Sequence, residues 1–342
     1  MRKFLLIGLL VGMIDSFQAQ SYRGIVSLND SICWVSGSKG TVLKTEDGGS
    51  TWDTLSPKGF STKEFRDIHL YNPKTALVMS SGDSAVILKT TDGGNSWNVV
   101  HSNNRPGVFY DAMDAFGSFM VIVGDPYRPT PSSPRQFDFM ASSDSGDTWS
   151  KSFTNNWAGL WEPDSGEALF AASGANLLLS YRGTFDPLHP DFEKLSYSLV
   201  TGGLQSAHYI SGVRTKLPYP FCPTCGPYAQ ARSANNHLVV VGGNYLKPGE
   251  RQHVALYLEA LTHELQWSNT PPGGYRSGVA YCSRGNLWVC TGTNGSDISR
   301  DDGRTWKPLS IGGFNACTFS QNYLWLCGNK GQVKRIALED IK

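Results

Sequence analysis

The chain has 342 residues, with 30 Lys and Arg against 29 Asp and Glu. That balance excludes the basic surfaces by which proteins hold nucleic acid or anionic membranes. Its 37 Gly, 18 Pro and 10 Trp, with no long stretch of helical periodicity, predict many short strands joined by tight turns, an all-β fold.

Residues 1–19 read as a signal peptide. Arg2 and Lys3 precede an apolar run from Phe4 to Ile14 that is too short to span a bilayer, and small Ala19 marks the expected cut before Gln20. An exported protein is expected, periplasmic or extracellular. No cysteine follows the run to take a lipid, and no later stretch reaches the roughly 18 apolar residues of a membrane helix, so no membrane insertion is expected. Without residues 1–19 the chain holds 28 basic and 28 acidic residues; no nucleic-acid partner is predicted.

A repeat dominates residues 20–342. Thr45-Glu46-Asp47-Gly48-Gly49-Ser50-Thr51-Trp52 recurs with its Asp at Asp92, Asp144 and Asp301, each followed by a Gly two residues on and a Trp five residues on. The intervals are 45, 52 and 157 residues; the last accommodates two further units at the roughly 40–50 residues that a four-stranded blade requires. The motif resembles the Asp-box of bacterial neuraminidase-type repeats, in which the Asp accepts backbone N–H bonds at a turn and the Trp packs between blades. A structural role is therefore expected for Asp47, Asp92, Asp144 and Asp301. The fold class is a single seven-bladed β-propeller of Asp-box repeats, a monomer, with blades near 21–60, 61–105, 106–160, 161–220, 221–271, 272–309 and 310–342. Second strands are expected at Cys33–Gly37, Val121–Gly124, Leu238–Gly242, Leu287–Cys290 and Leu324–Cys327. Tyr181 to Glu193, with two prolines and no period, reads as an insertion. The ring closes either with a three-stranded seventh blade or with residues around Ser21 and Tyr22 lent to it.

The start of each innermost strand faces the channel of a propeller. Aligning those starts brings Arg23, Arg66, Asp111, Glu167, Arg276 and Asn315 to one mouth, rimmed by Asp125, Asn244 and Asp297 from the loops between second and third strands. Three arginine forks suit an anionic small ligand or a peptide carboxylate, although charged residues in a wet channel also pair simply to hold blades together. Cys222 and Cys225, in a Pro-rich CxxC loop, are expected to form a loop-stapling disulfide in an oxidising compartment. A zinc site would need further ligands, and His208 and His237 stand at no recognised spacing from that pair. No metal and no cofactor are predicted.

The succession Tyr22-Arg23-Gly24-Ile25, Phe65-Arg66-Asp67-Ile68, Tyr110-Asp111-Ala112-Met113, Gly124-Asp125-Pro126, Gly166-Glu167-Ala168 through Gly174, Gly242-Gly243-Asn244 and Gly273-Gly274-Tyr275-Arg276 resembles bacterial propellers related to the photosystem II stability/assembly factors. The resemblance implies an exported binding or assembly protein with a protein client. Relatives are often labelled oxidoreductase, but the chain has no dinucleotide fingerprint or haem motif. The enzyme alternative is a sialidase-like glycosidase, with Arg23, Arg66 and Arg276 as an arginine triad, Tyr110 or Tyr275 as nucleophile and Glu162 or Glu167 as acid. Against it, the sequence after Arg23 lacks the proline of the sialidase signature.

Overall fold

A computed structural model describes residues 20–151, 162–187, 189–259 and 264–341; the expected signal segment lies outside them. The chain forms seven antiparallel sheets in succession, a seven-bladed β-propeller. Their strands cover 22–54, 64–103, 110–142, 167–216, 225–267, 278–309 and 316–337, within the limits read from the sequence. The second strands are deeply sealed. Cys33–Gly37, Leu238–Asn244, Leu287–Gly292 and Tyr323–Cys327 are buried along nearly their whole length. A strand covered by a neighbouring blade on both faces reads as an unbroken apolar run rather than an alternation. Trp34, Trp288 and Trp325 lie on these strands and are fully buried.

The four aspartate turns follow third strands, leading into a fourth strand in blades 1, 2 and 6 and into the single Ala141–Ser150 bridge in blade 3, and share one hydrogen-bond scheme. In the first, Asp47 Oδ1 accepts from the Thr51 amide at 2.9 Å and Oδ2 from the Thr51 hydroxyl at 2.7 Å, while the Gly49 amide donates to Thr45 Oγ1 at 2.8 Å. Asp92, Asp144 and Asp301 repeat it through Ser96, Thr148 and Thr305. Hydrogen bonds from the Thr51 amide and hydroxyl hold Asp47 down at about 2, and those from the Ser96 hydroxyl and amide hold Asp92 at about 2. The glycine closing each turn touches the preceding blade: a Cβ on Gly303, at φ +82°, would stand 2.7 Å from Val239. Each turn is thus both a self-contained cap and a blade-to-blade spacer.

The seventh blade has three strands, Ala316–Phe319, Tyr323–Cys327 and Val333–Ala337. Its partner across the closure is blade 1. The Tyr22 amide donates to Gly328 O at 3.0 Å and the Gly331 amide to Gln20 O at 2.7 Å. Buried Asn315 donates to Tyr22 O at 2.8 Å, so this residue clasps the ring. The outer strand is left with an open edge, where Lys334 and Arg335 are exposed; charge at such a position discourages pairing with another chain.

The insertion after Tyr181 is not a free loop. Phe185 and Phe192 pack on Phe116 and Phe119 of blade 3, with Phe119 and Phe192 ring centroids 4.2 Å apart. It lies between the first and second strands of blade 4, and so on the face opposite the mouth.

Candidate functional site

The innermost strand of blade 4 is interrupted between Glu167–Ala168 and Leu177–Tyr181, and the residues between them cross the centre of the ring. Arg66 Nη1 of blade 2 donates to Ala171 O at 2.8 Å, Ser173 Oγ donates to Ser277 O of blade 6 at 2.6 Å, and the Gln230 amide of blade 5 donates to Ala175 O at 2.8 Å. A segment of blade 4 reaches blades 2 and 6 only through the channel. Small residues are needed there. A Cβ on Gly174, at φ +72°, would lie 2.1 Å from the Asp67 carboxylate. The channel is plugged, and the mouth becomes a bowl.

The bowl has a volume of about 530 Å³, with Leu169, Phe170, Ala171 and Ala172 of the plug in its lining. Arg23 and Arg66 line it from blades 1 and 2, Asp111 and Asp125 from blade 3, and Tyr228, Tyr245 and Tyr275 from blades 5 and 6. Tyr228 stacks on Phe170 at 4.2 Å and meets Tyr275 edge-on at 4.8 Å, so one wall is aromatic. Tyr245 is half exposed.

The polar wall is under-partnered. Neither Arg23 nor Arg66 belongs to an ion pair among the described residues, and the Nε–H of each is buried without an acceptor. Burial, and then the neighbouring Arg66 charge, pull the Arg23 pKa down. Asp111 is fully buried, with neither carboxylate oxygen in hydrogen-bond geometry. Burial first and Asp125 second push its pKa well above the usual carboxylate range; Arg66 and the nearby Ala171 and Asp125 amides oppose this and lose. Asp125 is raised by burial as well, against the Leu169 amide that donates to it at 2.9 Å. Both shifts run against a negative charge on the acidic side of the bowl.

Of the residues expected at the mouth, Arg23, Arg66, Asp111 and Asp125 come together. Glu167, Asn244, Arg276 and Asp297 are not part of the lining. Glu167 is buried inside blade 4, accepting from Thr201 Oγ1 at 2.5 Å, Tyr209 OH at 2.8 Å and Arg214 Nη2 at 2.9 Å. Arg276 and Asp297 neutralise each other: Arg276 Nε and Nη2 both donate to Asp297 Oδ2, and Nη1 donates to Asn294 Oδ1 and Tyr275 O at 2.7 Å each. The arginine triad of the glycosidase alternative is therefore not assembled, and Tyr110 is buried against His101 and Asn103. Asn244 sits beside Cys222 and Cys225, which are joined as a disulfide. Sequence reasoning missed Phe170, Ala171 and Ala172. The signal was the run Ala171-Ala172-Ser173-Gly174-Ala175, which suits neither a strand nor an ordinary turn.

A second cavity of about 410 Å³ opens on the opposite face, lined by Asp30, Asp47, Arg284, Asn322 and Arg335 among others. Its charges are engaged: Arg335 lies over the Tyr323 and Trp325 rings, Arg284 donates to Asn322 at 2.7 Å, and Asn322 donates to Asp30 at 2.6 Å. Unpartnered buried atoms occur elsewhere too, at Arg105 and Arg232 among others, but the bowl gathers those of Arg23, Arg66 and Asp111 around one cavity.

Fold and site define a seven-bladed β-propeller with a plugged channel and an arginine-bearing, aromatic-walled bowl. Residues 19–120 match the family model of the photosynthesis system II assembly factor YCF48, and the chain is a BNR-like propeller related to that factor. A YCF48 structure with a bound D1 peptide is 15% identical, with a TM-score of 0.59 over 94% of each chain. YCF48 from Cyanidioschyzon merolae is 16% identical, with a TM-score of 0.56 over 94% of this chain and 97% of that one. The GH74 enzyme of Niastella koreensis is 14% identical, with a TM-score of 0.59 over 93% of this chain, which spans 52% of the enzyme. These structural likenesses show the fold. No curated protein is significantly similar in sequence.

Proposed function

We propose that this propeller is an exported binding scaffold of the assembly-factor kind, whose bowl receives a client-protein segment carrying a carboxylate beside an apolar or aromatic side chain. The observation that carries the reading is the pair Arg23 and Arg66, two guanidinium groups without an acidic partner, facing an aromatic wall. A carboxylate between them supplies the missing acceptors as charge-assisted bonds, and the tyrosines offer a rigid face to the neighbouring side chain. The D1 peptide bound to the YCF48 structure supports a peptide as occupant. Export rests on the segment Arg2 to Ala19.

The test is a titration with a fluorescently labelled short peptide ending in Phe, as the free acid and as the C-terminal amide, beside a fluorogenic glycoside panel. The free acid binds, and Arg23→Ala and Arg66→Ala each weaken it about tenfold or more, the worth of a charged hydrogen bond; the amide binds weakly and is insensitive to both. Equal affinity of acid and amide, or glycoside turnover lost in the arginine variants, overturns the proposal.

A further inference from the structure

The Cys222–Cys225 disulfide lies next to the aromatic wall rather than in a remote loop. Thr224, between the two cysteines, accepts a hydrogen bond from Tyr228 OH on its carbonyl at 3.0 Å, and its hydroxyl donates to Asn244 Oδ1 at 2.9 Å. The same Asn244 Oδ1 accepts from the Leu246 amide at 3.0 Å. One short cystine turn therefore orients both Tyr228 and the 244–246 turn that carries Tyr245, two of the three tyrosines of the bowl.

The two sulfurs differ in access. Cys225 opens the inner strand of blade 5 and is buried, whereas Cys222 is half-buried beside exposed Phe221; both border a cavity of about 190 Å³ that also holds Lys247, Glu250 and His253. Two donors stand at Cys222 Sγ: Thr224 Oγ1 at 3.4 Å and Asn244 Nδ2 at 3.8 Å. Both would stabilise a thiolate formed there.

We infer that the Cys222–Cys225 disulfide is a reducible site that sets the aromatic half of the bowl, closing it to a client when a dithiol reduces it. The inference rests on the bowl being the binding site. A thiolate of the reductant attacks Cys222 Sγ, forming a mixed disulfide, and the Cys225 sulfur leaves and takes a proton. The second thiol of the reductant then closes on the first sulfur and expels Cys222 as a thiolate. The protein disulfide gains two electrons and the dithiol becomes a disulfide. The Thr224 hydroxyl has one proton, given to Asn244 in the oxidised state; an anionic Cys222 sulfur competes for it and for the Asn244 amide. Asn244 turns, the Leu246 amide loses its acceptor, and Tyr245 is no longer held over the bowl.

Hydrogen exchange of the full chain, oxidised and after dithiothreitol, reads this without a ligand. Exchange across 244–248 rises about tenfold on reduction, the worth of one hydrogen bond, while the strand Leu287–Gly292 is unchanged. Thr224→Val, with its disulfide intact, exchanges at the reduced rate in both states. Binding of the free-acid peptide falls in parallel. Unchanged exchange at 244–248 overturns the inference. A rise in exchange with no peptide binding in either state leaves the redox coupling standing and defeats the binding proposal instead.

Discussion

Arg276 separates a structural reading of the central charges from a functional one. Arg276 and Asp297 side chains are each only 2% exposed, and the guanidinium donates four hydrogen bonds within the protein. Arg276→Ala strips Asp297 of its counter-charge and leaves its carboxylate with the Gly273 amide at 3.1 Å. Breaking a buried pair from one side costs about 3–5 kcal/mol, because the partner stays buried and uncompensated. Replacing both partners at once, Arg276→Met with Asp297→Leu, removes the unpaired charge and recovers most of that loss. The assay is equilibrium urea denaturation of the single and double variants. A large fall in midpoint for the single variant, relieved in the double, is expected, with peptide affinity of the folded fraction falling much less than in Arg23→Ala, because Arg276 touches the bowl's lining at the Tyr275 carbonyl and not at the ring. A single variant that unfolds at the wild-type midpoint yet loses the peptide refutes the assignment and returns Arg276 to the bowl.

Two further outcomes follow from the described geometry. Asp301→Ala removes the acceptor of the Thr305 amide and hydroxyl and lowers stability by about 1–2 kcal/mol in the same urea assay, without changing peptide affinity; a loss of affinity at full stability would give that turn a role in binding. Stability also falls between pH 7 and 9. Burial raises Asp67 to about 8 and Asp114 to about 6, so their contribution is complete below the usual carboxylate value and is lost as pH rises through 6 and then 8. His69 and His208, lowered by burial to about 4, act in the opposite sense but have finished by about pH 7. Thermal melting at pH 7, 8 and 9 checks this, and a midpoint that holds steady across the three contradicts the burial of Asp67.

The blades were legible because their signals are local. An Asp turn closes on itself within seven residues, and a strand sealed on both faces leaves an unbroken apolar run in the sequence. The plug was not legible: Ala171 to Ala175 carries no period, and what holds it are bonds to Arg66, Ser277 and Gln230, each on a different blade. The insertion after Tyr181 hid its packing for the same reason, since Phe185 and Phe192 find their partners about 70 residues earlier, at Phe116 and Phe119. Arg276 was misplaced because Tyr275-Arg276 repeats the pattern of Tyr22-Arg23 and Phe65-Arg66. The difference lies two strands away, where blade 6 supplies Asp297 and blades 1 and 2 supply no equivalent.

The proposed binding site rests on that contrast. Three arginines occupy equivalent positions at the start of inner strands, so the backbone presents them alike. One is satisfied by a buried carboxylate and by amide and carbonyl oxygens; the other two keep buried Nε–H groups with no acceptor, beside Asp111, whose pKa burial raises. Leaving such groups unpaired costs stability that a pairing like Arg276 with Asp297 would recover. Natural sequences break the rule of satisfied polar groups chiefly where a ligand completes the site. The plug sharpens the argument. By filling the channel from blade 4 it forms the floor of the bowl, so a carboxylate held at Arg23 and Arg66 has its attached chain directed towards Phe170, Tyr228 and Tyr275. An occupant with both an anionic end and an apolar side chain satisfies the two walls together, which neither a bare anion nor a neutral sugar does.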